Sequence, residues 1–312
     1  MARLSALPTR RLGDSDLEPT VVGLGCNNFG RRIGLEETRA VVDAALDAGI
    51  NFLDTAYIYG GEHGASEELL GAALEGRRDR AIVATKFGMT TGGDLPGAIG
   101  SPAYVRRSCE ISLRRLRTDT IDLYQYHEPG PAVPIAETLS AIEELVREGK
   151  VRYLGVSNFS AQQLEEACAV ARVVSLQNEY SLLRRAIERD VIPACRRLGV
   201  SVIPYFPLAS GLLSGKYRRG EAPPADSRLA NRDEIASDVD WDAIEALQRF
   251  ADERGIELVD VAIGWLAAQP AVASVIAGAK RPEQARRNAR AGLWEPSEED
   301  LAELDRITKP AS

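Results

Sequence analysis

The chain has 312 residues, 45% of them hydrophobic and 27% charged, and its 38 Lys and Arg against 46 Asp and Glu give a formal net charge of -8. This composition excludes a disordered or fibrous protein, and the acidic balance offers no basic surface for a nucleic-acid backbone. No run approaches the roughly 20 apolar residues of a bilayer crossing, and the opening MARLSALPTRRLGDSDLEPT lacks the apolar core of a secretion signal, so a cytoplasmic protein that binds neither membrane nor nucleic acid is expected.

In chain order, RRLGDSDLEP has a turn-like centre and predicts a small N-terminal hairpin closing the floor of whatever follows. Short β-branched or aliphatic runs then recur at 20–25, 50–54, 81–86, 120–127, 151–157, 173–180, 200–206 and 272–278. Helical patterns lie between them at 35–48, 66–74, 102–116, 134–149, 161–171 and 187–198. In the fourth of these, Ile135, Leu139, Ile142, Leu145 and Val146 form one stripe, and Gly149 is a natural stop. Strands apolar on both faces, each followed by a helix, require a parallel sheet covered by helices, because a hairpin cannot join parallel neighbours. Eight such units predict an α/β chain folded as a (β/α)8 TIM barrel, with the hairpin at its start and an extra C-terminal helix over 296–308 begun by Ser297. The whole chain, 1–312, reads as one barrel domain. The segment 205–239, rich in Gly, Pro and Arg, breaks the rhythm and reads as a functional loop over one barrel face. Cys26, Cys109, Cys168 and Cys195 lack CxxC spacing, which predicts reduced, mostly packed thiols and no metal site. Gly23 and Gly25 resemble the start of a dinucleotide fingerprint, but its third glycine falls on Asn28.

Chemistry in such a barrel belongs where strands end and loops begin. Asp54, Lys86 and His127 close three consecutive predicted strands, and Tyr59 follows Asp54 within DTAYIYG. Taken singly, Asp54 suits capping, Lys86 suits a structural ion pair with Asp54, His127 suits a satisfied polar role and Tyr59 suits packing. Together at one mouth they suit proton transfer to a carbonyl oxygen. Lys86 would favour the Tyr59 phenolate, Asp54 would hold Lys86, and His127 would donate to the oxygen. The cluster has no hydride source, so a redox cofactor must supply one.

FLDTAYIYG, ATKFG, LYQYH, GKVRYLGVSNF, LQNEYS, PYFPLASGLLSGKY and IAGAKRPEQARRN resemble, in order and over nearly the whole chain, the motifs of the aldo-keto reductase superfamily. That resemblance implies an NAD(P)H-dependent reductase of a small-molecule carbonyl substrate, with Asp54, Tyr59, Lys86 and His127 matching the catalytic tetrad and Tyr59 the general acid/base. It further implies that Ser157, Asn158 and Gln177 hold the nicotinamide carboxamide and that Tyr205 stacks on the ring. Phe206, Pro207, Leu208, Ser210, Gly211 and Lys216 match the loop over the pyrophosphate; Gly278, Lys280, Gln284 and Asn288 match the segment that receives the adenosine. Lys280 beside Arg281 favours NADPH, with NADH the alternative. The chain departs from the commonest pattern at Phe206, Ala277 and Arg287, which bears on adenine contacts and cofactor choice. Arg281, Arg286 and Arg290 also fit a solvated basic helix face.

The superfamily also contains NADP-sensing regulatory subunits of potassium channels; the complete tetrad speaks for an enzyme. Substrate preference is expected from Asn27, Phe29, Glu128 and the arginines Arg218, Arg219, Arg228 and Arg232. Tyr57 and Phe87 suit either an aromatic wall or the core. The substrate itself and the oligomeric state are open on the sequence.

Overall fold

The computed structural model describes residues 6–89, 97–224 and 239–309. Eight strands form the wall: β1 Val22–Gly25, β2 Phe52–Asp54, β3 Ile82–Phe87, β4 Ile121–Tyr126, β5 Val151–Ser157, β6 Val173–Gln177, β7 Ser201–Val202 and β8 Val275–Gly278. The helices α1 Leu35–Asp47, α2 Ala65–Ala73, α3 Pro102–Leu116, α4 Ile135–Arg147, α5 Ala161–Val170 and α6 Val191–Leu198 connect the first seven strands. Beyond the long loop come α7 Trp241–Glu253, α8 Leu258–Ala267, α9 Pro282–Ala291 and α10 Glu298–Thr308.

The strands pair in parallel in the order β7-β6-β5-β4-β3-β2-β1-β8. The sheet closes through irregular backbone bonds: the Val202 amide donates to Ala271 O (2.7 Å), Ala273 to Val202 O (3.0 Å) and Ile276 to Pro204 O (3.2 Å). Pro204 has no N–H to continue a ladder, which is why β7 stops at two residues although the apolar run continues to Phe206. The result is the (β/α)8 barrel that the rhythm of the sequence predicts.

The outer helices bury the stripes read from the sequence. In α4, Leu139, Ile142 and Leu145 are fully buried, each worth about 2 kcal/mol over exposure. Gly149, at φ 76°, then turns the chain into β5 through the left-handed region. At the floor, the Leu12 amide donates to Leu17 O (2.9 Å) and the Arg10 amide to Pro19 O (3.0 Å), forming the predicted hairpin. Leu12 and Leu17 pack against Phe52, Ala84, Leu123, Val174, Ile203 and Ala273 from the barrel interior. Gly13 (φ 52°) passes so close to the Val174 carbonyl that a Cβ would stand 2.2 Å from its oxygen. At the other terminus, the Ser297 hydroxyl accepts from the Asp300 amide (3.1 Å) and the Asp300 carboxylate from the Ser297 amide (2.9 Å), a capping box that starts α10. Among the described residues no helix is long and apolar enough to cross a membrane.

Candidate active site

β2, β3 and β4 bring Asp54, Lys86 and His127 to one end of the barrel. The Lys86 ammonium is fully buried and donates to Asp54 Oδ1 (2.5 Å), to the Thr55 carbonyl (2.9 Å) and to the Tyr59 hydroxyl (3.5 Å). The His127 ring meets the Tyr59 ring edge-on, with centroids 6.0 Å apart. Its Nδ1 is buried and has no hydrogen-bond partner.

Tyr59 is held from below by the start of α2. The Ser66 amide donates to the Tyr59 carbonyl (3.1 Å), and the Ser66 hydroxyl reaches the Cys26 carbonyl (2.8 Å) and Thr55 Oγ1 (2.9 Å). Next to it, the buried Glu67 carboxylate accepts from Thr85 (2.6 Å) and Arg115 (3.3 Å), while Arg115 donates to the His63 carbonyl (2.9 Å). The loop carrying Tyr59 is thereby tied to the outer side of β3 and to α3.

Burial raises the Tyr59 phenol above its ordinary range; Lys86 pulls it back only in part. The expected lowering by Lys86 is therefore present but outweighed by burial. Burial also opposes the charge of Lys86, yet Asp54 and Tyr59 more than offset it and keep the ammonium above its usual value. For His127, burial and the Lys86 charge both act downward, so the imidazole is neutral well below its ordinary range. It can donate a hydrogen bond but is no cation at neutral pH.

Above these groups lies a cleft of about 520 Å³. It is lined by Asp54, Tyr59, His127, Ser157, Asn158, Gln177, Tyr205, Phe206, Pro207, Leu208, Ser210, Gly211, Lys216, Gly278, Lys280 and Gln284. Two candidates lie outside the lining: Lys86 sits beneath Tyr59, and Asn288 is buried on α9. Ser157 gives its hydroxyl to the Gln177 backbone carbonyl (2.8 Å). Asn158, left-handed at φ 59°, donates to the His127 carbonyl (3.0 Å) and accepts from the Tyr205 hydroxyl (2.8 Å). Burial pushes the Tyr205 phenol up to about 12, so it remains a donor. Phe206 stands edge-on to Tyr205 at 5.1 Å and is 39% exposed. Phe206, Ala209 and Ser210 share positive φ with Gly211, a strained turn for three residues bearing a Cβ.

Of the expected specificity residues, Asn27 lines the cleft, whereas Phe29 is core and Glu128 is absent from the lining. Arg219 is tied instead to Asp242 and Glu245 on α7, and Arg218 to the Gly215 and Tyr217 carbonyls. Arg228 and Arg232 lie outside the described residues. Tyr57 and Phe87 belong to the core. Arg287 pairs with Glu257 (2.5 Å) and reaches the Ser214 carbonyl (3.3 Å), tying α9 to α8 and to the loop before Lys216. Sequence reasoning missed Arg31, Arg32, Ile58 and Met89 in the lining, and Gln125 beneath it. The available signal for Gln125 was a carboxamide between Tyr124 and Tyr126 in a strand whose other polar residue is Asp122.

A sequence model of the aldo/keto reductase family matches residues 21–309. Among solved structures, the chain is similar to an aldo-keto reductase from Bacillus halodurans in its holo form. The two are 34% identical over 98% of this chain and 97% of that one, with a TM-score of 0.81. It is also similar to the glycerol dehydrogenase from Gluconobacter oxydans, at 32% identity over 97% of both chains with a TM-score of 0.86.

Proposed function

The chain belongs to the aldo/keto reductase family and is an NAD(P)H-dependent oxidoreductase; from that premise we propose that it reduces an aldehyde or ketone to the alcohol, preferring NADPH, with Tyr59 as general acid and, in reverse, general base. The observation that carries the reading is the buried contact of Lys86 with both Asp54 and the Tyr59 hydroxyl at the floor of the cleft.

The residues present fit a nicotinamide dinucleotide. Asn158 and Gln177 offer amide groups beside the Tyr59–His127 pair, Tyr205 supplies an aromatic face, and Gly278 leaves a backbone cradle in which a Cβ would crowd Asn28 Nδ2 at 3.3 Å. Lys216 and Lys280 line the cleft as cations, as the pyrophosphate and a 2'-phosphate require. When bound, the reduced cofactor supplies the hydride. The protein's own part is the proton. The Tyr59 hydroxyl gives it to the carbonyl oxygen as negative charge develops there, and Lys86 stabilises the phenolate left behind. Asp54 keeps Lys86 charged and aimed. Neutral His127 donates its N–H to the same oxygen and so selects the face presented. The glycerol dehydrogenase among its relatives makes small polyols and their carbonyl counterparts natural members of a substrate panel.

NADPH and NADH consumption with such a panel, for wild type and Tyr59→Phe, tests this. The variant should lose roughly 10²–10⁴-fold in kcat while its cofactor Kd is retained. Near-wild-type turnover by Tyr59→Phe would overturn the assignment.

A further inference from the structure

Beneath the cleft floor lies a second carboxamide, Gln125, that the proposed chemistry does not use and that backs the Gln177 side chain lining the cleft. Gln125 is fully buried on β4; its Nε2 donates to Asp54 Oδ2 (3.0 Å). Gln177 on β6 sends its own Nε2 to the same Asp54 oxygen (3.0 Å) and to Gln125 Oε1 (3.1 Å). Both N–H groups of Gln177 are thus spent below the floor, and only its Oε1 is left for the cleft it lines. The opposite amide orientation would set Oε1 against the Asp54 carboxylate and against Gln125 Oε1, two oxygen–oxygen contacts with no proton between them. The wall is built to admit Gln125. Its register partner on β5 is Gly155, where a Cβ would stand 3.0 Å from Gln125 Cγ and 2.5 Å from Ser175 Oγ. On the other side its register partner is Lys86.

We propose that Gln125 is a positioning residue that locks the Gln177 amide with its carbonyl oxygen toward the cleft, so that the site accepts a hydrogen bond from the carboxamide NH2 of the nicotinamide and offers it no donor at this point. The same residue ties that recognition to Asp54, and through Asp54 to Lys86 and Tyr59. The inference rests on the reading of Gln177 as a cofactor contact.

The test compares dissociation constants of NADPH and of its 3-acetylpyridine analogue, in which a methyl group replaces the carboxamide NH2, measured by quenching of protein fluorescence. Wild type should prefer NADPH by roughly five- to ten-fold, the worth of one hydrogen bond. Gln125→Met, similar in length but without hydrogen-bonding groups, leaves Asp54 Oδ2 as the one acceptor still holding the Gln177 amide and should cut the preference by about two- to three-fold. Gln125→Glu, kept protonated by the adjoining Asp54 carboxylate, gives its O–H to Asp54 Oδ2 and keeps a carbonyl acceptor for Gln177 Nε2; it should retain the preference, which keeps the idea testable should the Met variant fail to fold. A wild-type preference that survives unchanged in Gln125→Met, or is lost in a folded Gln125→Glu, overturns the lock. Equal wild-type affinity for the two cofactors overturns the carboxamide contact itself, and absence of any NADPH binding overturns the reading of the cleft.

Discussion

The buried Lys86–Asp54 pair allows a quantitative prediction. A cation 3.5 Å from the Tyr59 oxygen stabilises a phenolate by about 5 kcal/mol at an effective dielectric constant of about 20. Its carboxylate partner, 2.5 Å beyond the nitrogen, lies at most about 6 Å from that oxygen and takes back about 3 kcal/mol. The net pull is then at most about 2 kcal/mol, or roughly 1.5 pH units. This modest value agrees with the outcome in the cleft, where burial outweighs the pair and leaves the phenol raised. Replacing both partners together, Asp54→Asn with Lys86→Met, removes the pull without stranding a buried charge. The Tyr59 pKa should rise by up to about 1.5 units, and alcohol oxidation, which needs the phenolate, should slow by up to about 30-fold at fixed pH. The assay is the pH dependence of kcat for the fastest alcohol found, with cofactor Kd in parallel. A limb that stays within 0.3 units of wild type would refute the electrostatic argument, as would a slowing matched by an equal loss of cofactor affinity.

Other consequences follow from single features. His127 is held neutral well below its ordinary range, so carbonyl reduction should show no inflection between about pH 6 and 7; a break there that disappears in His127→Asn would contradict it. The Tyr59 acid must keep its proton to act, and its raised pKa therefore extends the reductive plateau upward, with decline expected only above about pH 10. Lys280→Met should raise the KM for NADPH about ten-fold and leave that for NADH within two-fold, since only the former carries the 2'-phosphate; equal effects on both would remove the phosphate role. Gly64, at φ 87° with a Cβ position 2.0 Å from the Arg115 guanidinium, should tolerate alanine poorly, lowering the melting temperature by several degrees through strain of about 1–3 kcal/mol.

Much of the barrel was legible because parallel strands buried on both faces leave continuous apolar runs, and the cluster at its mouth was legible because Asp54, Lys86 and His127 close successive runs and Tyr59 follows the first of them. What followed the long loop was less readable. Every residue of α8 is buried, so it has no polar face to generate a period, and only the strand and tail around it stood out. The predicted strand over 173–180 ends at Gln177 in the structure, since spacing marks an element better than its boundary. Arg218 and Arg219, expected on the substrate side, are engaged elsewhere because composition shows charge but not the α7 carboxylates that claim Arg219 or the backbone carbonyls that hold Arg218. Gln177 stood out as a candidate by its motif; its contact with Gln125, a neighbour 52 positions away in sequence, is a property of the closed wall alone.

The hairpin that stoppers the floor separates what the chain must keep from what it can vary. Leu12, Leu17 and their partners settle the barrel at one end, while Asn27, Ile58 and Met89 border the opening at the other. A new substrate preference can thus be written into the rim without disturbing a side chain that seals the base, and divergence among such barrels can proceed by exchange of rims on a common vessel.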